Sequence, residues 1–330
     1  MKPALRQPAA STARPPGAAG CPGGIAPSAM SKKRAAIERP ELGLVCMSAD
    51  DTVRFRTITR THLRKFPEAE QQRLLRALYQ DNLTRLHAAV TLCQALQLRL
   101  YRMPSNLFPF SDAEVGAPLL QELAAPLRAL GDRAQEQGLR LVMHPDQFVV
   151  LSSDNPAVVQ NSREILLQHG QLMDLLGLPR TPFAAINIHG GKGGREAALC
   201  QAIHALPDAA RLRLTLENDE RAYGSAAIHA VCLETGVPMV FDAHHHVIHE
   251  ALPSYDDPDV GLWLAQARRT WSDEAWQLTH ISNGRARFDD MAHSDFISAM
   301  PQSFKAAPWI EIEAKAKDEA IRRLRQELHW

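Results

Sequence analysis

Seven side chains able to hold divalent cations are strung far apart along this chain: His144, His189, Glu217, Asp242, His245, His280 and Glu313. Imidazole mixed with carboxylate suits manganese, zinc or iron, in contrast to the all-oxygen shells that magnesium and calcium prefer. Two or more such ions a few ångströms apart polarise a phosphoryl oxygen, generate hydroxide at neutral pH and stabilise a leaving oxygen. Glu217 and Glu313 are expected to reach across and bridge two ions. His293 is a looser eighth candidate. His244, His246 and His249 crowd around His245, and such a density means that some of them only support the site or face solvent. Each residue alone has an ordinary explanation, as a hydrogen-bonded core histidine or a helix-capping acid. What argues for chemistry is where the set falls.

Those positions coincide with the ends of predicted strands. Short apolar segments lie at 42–47, 98–103, 139–144, 184–189, 212–217, 238–242, 276–282 and 308–313. Between them run stretches with helical apolar spacing, at 68–96, 117–137, 156–177, 195–206, 224–236, 259–271, 291–300 and 314–328. Near-continuous apolar strands are buried on both faces, as in parallel sheets. Strands alternating with helices build right-handed βαβ units. Eight such units predict an α/β fold of the (β/α)8 TIM barrel type, a single domain over 40–330. An open doubly wound sheet is the alternative, but GxGxxG after the first strand is missing. In a barrel all eight strand ends meet at one mouth, so the third to eighth strands would each deliver an imidazole or carboxylate to one cavity.

Composition sets the surroundings. The 37 basic and 37 acidic residues balance, so any attraction for nucleic acid must be local. Arg102, Lys192, Arg221, Lys315 and Lys317 follow or end strands on the expected rim and supply that charge. Gly190, Gly191, Gly193 and Gly194 around Lys192 fit either a phosphate-binding nest or a tight loop. Asn106 and Asn218 are candidates for positioning phosphate or a water. Five scattered cysteines without a CxxC pair argue against a disulfide framework and fit a reducing cytoplasm. No apolar run approaches the roughly 20 residues that span a bilayer. Residues 1–39, rich in Ala, Pro, Gly and Ser, read as a disordered extension.

These segments also resemble a known family. YRMPSNLFP (101–109), MHPDQFV (143–149), NIHGGKGG (187–194), LENDER (216–221), FDAHHH (241–246), HIS (280–282) and EIEAKAK (311–317) match the UV-damage endonucleases in order. More distantly the chain is similar to the endonuclease IV and xylose-isomerase-like barrels. The resemblance implies that His144, His189, Glu217, Asp242, His245, His280, His293 and Glu313 ligate a cluster of two or three ions, usually manganese, with zinc or magnesium as alternatives. It implies catalytic roles for Glu217, Glu313, His189 and Asp242. It makes Gln147 and Phe148 a wedge entering damaged double-stranded DNA, where the family usually has Gln-Tyr. The implied activity, for a cytoplasmic monomer, is hydrolysis of the phosphodiester 5′ to a pyrimidine photoproduct. Three positions depart from the family pattern: Leu44 and Ser48, which bear on the grip of lesion bases, and Leu278, which stands where some members carry lysine. The rivals are a sugar isomerase or epimerase on the same barrel and a non-catalytic damage-binding protein with structural metals.

Overall fold

A computed structural model describes residues 39–327. The expected extension at 1–39 therefore lies, but for Arg39, outside the described residues. The eight strands are β1 (Glu41–Val45), β2 (Leu100–Met103), β3 (Arg140–Met143), β4 (Ile186–His189), β5 (Leu214–Glu217), β6 (Met239–Asp242), β7 (Leu278–Ile281) and β8 (Trp309–Ile312). All pair in parallel in sequence order, and β8 returns to β1 through Leu42 opposite Ile310, closing the barrel. The helices are α1 (Arg60–Leu63), α2 (Glu68–Ala95), α3 (Ala117–Glu122), α4 (Ala124–Glu136), α5 (Pro156–Leu175), α6 (Glu196–His204), α7 (Asp208–Arg211), α8 (Ser225–Thr235), α9 (Ala243–His249), α10 (Pro258–Arg268) and α11 (Lys317–Glu327).

The predicted (β/α)8 architecture is therefore present, with strands slightly shorter than their apolar segments. Two helical expectations need correction. The segment 117–137 divides at Leu123 into α3 and α4, because Pro126 has no N–H and its ring clashes with the carbonyl four residues back. The segment 291–300 contains no helix. There the Asn283 side chain captures the backbone N–H groups of Ser298 and Ala299 and donates to the Ala299 carbonyl. Tertiary hydrogen bonds win over a weak periodicity in so short a stretch. Conversely, 243–249 forms α9, capped by Asp242, whose Oδ1 accepts from His245 N at 2.7 Å.

Two-residue alternation sorts the barrel interior into layers. A dry floor of Leu100, Val142, Ala185, Val240, Leu278 and Trp309 forms one buried cluster. Beneath it Arg140 is closed in by the faces of Phe183, Trp271 and Trp309 and donates to the carbonyls of Pro182, Phe183 and Trp276. Gly43 makes room for the floor, since a Cβ there would come within 2.6 Å of the Leu100 side chain. Two residues up the same strands stand Arg102, His144, Asp242, His280 and Glu311. The floor is thus the support on which the polar layer rests.

Outside the barrel, α4 approaches α5 through Gly131, where a Cβ would lie 1.7 Å from the Leu176 carbonyl oxygen. Gly131→Ala must push these elements apart. It is expected to destabilise the fold by about 1–3 kcal/mol, seen as a fall of several degrees in Tm on thermal melting.

Candidate metal centre and DNA-facing rim

Three overlapping ligand groups sit at the barrel mouth: His144, His189 and Glu217; Glu217, Asp242 and His245; Asp242, His280 and Glu313. Within each group the ligand atoms lie within 4.8 Å of one another. Glu217 is shared by the first two groups and Asp242 by the last two. Glu217 is the hub. Its Oε2 is 3.0 Å from His144 Nε2 and its Oε1 is 3.0 Å from His280 Nδ1, with His245 Nδ1 at 3.5 Å. From below, Asn187 Nδ2 donates to Oε2 at 2.5 Å, and Thr215 Oγ1 in turn donates to Asn187 Oδ1.

The histidines are pre-set for cations. Nδ1 of His144, His245 and His293 each meets a backbone carbonyl, of Pro145, Asn218 and Glu313 respectively, at 2.9–3.0 Å. A carbonyl only accepts, so Nδ1 carries the proton of the neutral ring and Nε2 is the nitrogen left to give its lone pair to a metal. His144 Nε2 then faces a carboxylate oxygen of Glu217, and a divalent cation held by these two residues would satisfy both. The buried Asp242 Oδ2 and His189 Nδ1 have no hydrogen-bond partner. The donor set therefore fits divalent metal.

The electrostatics agree. Burial alone would raise the Glu217 carboxyl, but the His280 and His189 rings hold it well below its ordinary range. Burial opposes charge on His280 as well, yet Glu217 and Glu311 push it well above the usual imidazole value. Burial acts likewise on His245, and Asp242, Glu217 and Glu220 outweigh it, raising the ring to about 9. Protons are held where concentrated carboxylate charge calls for cations.

Several expected residues stand elsewhere. Arg102 is not a rim residue: its side chain is 12% exposed and Nη1 donates to Glu311 Oε2 at 2.9 Å and Glu313 Oε1 at 2.5 Å. Asn218 is buried and exchanges hydrogen bonds with the Asp242 backbone, tying β5 to β6. Lys192 Nζ pairs with Asp154, and the Lys192 N–H donates to Ser152 Oγ, so the glycine segment is a pinned loop. Gly191 supplies its positive φ of 84°. Arg221 and Lys315 are exposed, Arg221 lying against Met291. Asn106 is exposed beside Phe148, which at 69% is the most exposed large apolar side chain among the described residues. Both line a cavity of about 280 Å³ with Phe108, Phe110, Asn161 and His169. Leu44 is buried in the core and Leu278 in the barrel floor. Ser48 braces the turn after β1 through Asp50 and Val53.

Glu311 and Glu220 escaped the sequence reading. Glu311 shares a strand face with Glu313, so the alternation in EIE was a usable signal. Glu220 Oε2 lies 3.8 Å from His245 Nε2. His244 and His246, by contrast, are buried supports, bonded to Tyr255 and Asp290 and to Ser225 and Asp259.

A closed eight-stranded barrel with overlapping imidazole–carboxylate groups at its C-terminal mouth defines a metal-binding (β/α)8 protein. Residues 40–330 match the model of the UV-endonuclease UvdE family, and the chain belongs to that family. It is 51% identical over 289 residues to the UV DNA damage endonuclease of Nostoc sp., covering 87% of this chain and 90% of that one. Identity to the UV DNA damage endonuclease of Deinococcus radiodurans is 47%, covering 87% and 95%. In fold it is similar to the crystal structure of SacUVDE, with a TM-score of 0.75, 23% identity and coverage of 88% and 99%. Endonuclease IV from Thermus thermophilus shares the fold at a TM-score of 0.56 and 15% identity, again over 88% and 99%.

Proposed function

We propose that this protein is a metal-dependent endonuclease that nicks duplex DNA immediately 5′ to UV photoproducts, leaving a 3′-hydroxyl and a 5′-phosphate. The observation that carries the reading is the shared-ligand cluster around Glu217, in a chain that belongs to the UV-endonuclease family. His144, His189, Glu217, Asp242, His245, His280, His293 and Glu313 hold two or three ions, manganese in preference to zinc or magnesium. Bound there, divalent ions polarise the scissile phosphoryl group and offset charge on the leaving oxygen. The chain's own residues do the rest. Glu217 and Asp242 keep neighbouring groups at a fixed separation, and Asn187 fixes the Glu217 carboxylate from beneath. Arg221 and Lys315, with Asn106 and Lys192 further out, hold the phosphate backbone as position-setting contacts without sequence preference.

Gln147 and Phe148 follow β3 and project from the rim, both exposed. They enter the duplex at the lesion, where a distorted photoproduct costs less to unstack than a normal step. Phe148 supplies an aromatic face to the gap. A sugar isomerase would give such an exposed ring no task. We place the enzyme in the cytoplasm as a monomer; none of the helices described is long and apolar enough to cross a membrane.

An end-labelled duplex carrying one cyclobutane dimer, incubated with the protein and Mn²⁺, tests the reading. One nick at the bond 5′ to the dimer is expected, with undamaged duplex intact; equal cutting of both would refute lesion recognition. In the same assay Phe148→Ala should lower the preference for damaged over plain duplex about tenfold or more, since base–aromatic stacking contributes about 1–3 kcal/mol. Equal losses on both substrates would remove the wedge role.

A further inference from the structure

We propose that Arg102 and Glu311 form a positioning pair beneath the metal cluster, orienting His280 and Glu313 toward their shared ion and making no contact with DNA. The inference rests on the metal reading above and adds residues to it.

The geometry is a chain of contacts across three strands. Arg102 on β2 holds Glu311 of β8 at 2.9 Å and Glu313, just past β8, at 2.5 Å, both through Nη1. Glu311 Oε2 lies 2.7 Å from His280 Nε2 on β7, although the approach is off the N–H axis and Nε2 has no well-aligned hydrogen bond. The opposite ring nitrogen, Nδ1, faces Glu217 and Glu313 at 3.0 and 3.3 Å. One pair therefore touches two of the three members of the Asp242–His280–Glu313 group from the side away from the mouth.

His280 is set apart from His144, His245 and His293. Those three rest Nδ1 on a backbone carbonyl, which chain folding supplies automatically. His280 presents Nδ1 to the cluster instead, and its other nitrogen meets a carboxylate that must itself be held in place. Arg102 does the holding. Glu311 is 0% exposed, and a lone anion in such a place is costly without a partner. The guanidinium neutralises it and keeps one oxygen beside His280. Arg102 also engages Glu313 Oε1, leaving Oε2 on the side of His293, whose Nδ1 is 3.7 Å away. A guanidinium so engaged would have to abandon two carboxylates to reach a phosphate.

Mn²⁺ titration calorimetry on the full chain, with nicking kinetics alongside, tests this on Arg102→Met, Glu311→Gln and the double variant, which removes one buried charge of each sign and leaves Glu313 facing His280 and His293. Each is expected to weaken one Mn²⁺ site about 10–100-fold, and to lower kcat with KM for damaged DNA unmoved. Arg102→Lys should recover part of the loss. The metal-free double variant should melt within a few degrees of wild type, which separates ion placement from fold support. Unchanged Mn²⁺ affinity and stoichiometry in all variants would overturn the pairing. So would an Arg102→Met that chiefly weakens DNA binding and lowers its salt slope by about one, the mark of a phosphate contact. Wild type that takes up no Mn²⁺ would sink the metal reading and this inference together; wild type that loads while the variants match it sinks the inference alone.

Discussion

Glu217→Gln should leave a folded protein that still binds damaged duplex and cuts it on the order of 10⁴-fold more slowly, the scale seen when one member of a catalytic unit is removed. The substitution is nearly isosteric, and the amide can still meet Asn187. What disappears is the charge that two of the three ligand groups share. Four histidines, His144, His189, His245 and His280, lie within 3.9 Å of that carboxylate. Without it the two ligand groups that Glu217 joins would each lose their shared anionic donor. On the proposed reading DNA affinity rests on the rim cations and the wedge, so it should fall little. Single-turnover nicking and fluorescence anisotropy on one labelled duplex separate the two effects. Nicking within tenfold of wild type would show that Glu217 is dispensable and that the cluster is organised around another group.

The centrality of Glu217 also shows what the sequence could and could not disclose. Strand ends were legible because buried parallel strands are short apolar runs, and a titratable residue closing such a run has few structural reasons to be there. His144, His189, Glu217, Asp242 and His280 could be read directly in this way. Asp242 answered to both available explanations at once, since it caps α9 through Oδ1 while Oδ2 faces the cluster. Depth was not legible. Arg102 looked like a rim cation because strand periodicity gives the face of a side chain and says nothing of what waits opposite; its partners lie 209 and 211 residues away on and beyond β8. The burial of Asn218 against the Asp242 backbone was hidden for the same reason. The segment 291–300 failed differently, through hydrogen bonds from Asn283 that no local pattern encodes. The rim beyond the cluster is where loops depart from strand logic, and there resemblance, not periodicity, singled out Gln147 and Phe148.

Removing metal should abolish nicking altogether while leaving the barrel folded. The apolar cluster between strands and helices and the dry floor of Leu100, Val142, Leu278 and Trp309 lie apart from the mouth, so far-UV circular dichroism should survive exhaustive chelation. The mouth should not be indifferent to it. Glu217, Asp242, Glu311 and Glu313 gather there against one guanidinium, and an ion binding only the native state at 100 times its Kd adds about 2.7 kcal/mol. The chelated protein should therefore melt several degrees lower, and Mn²⁺ should restore both Tm and cleavage. Mg²⁺ at the same concentration should restore much less of either, because it favours oxygen ligands in a strict octahedron and five of the eight proposed donors are imidazole. Metal content, melting and single-turnover nicking on the same samples check the prediction. Full cleavage with no detectable metal would remove the ions from the chemistry, and equal rescue by Mg²⁺ would mean that the carboxylates alone govern the site, with the histidines demoted to packing around them.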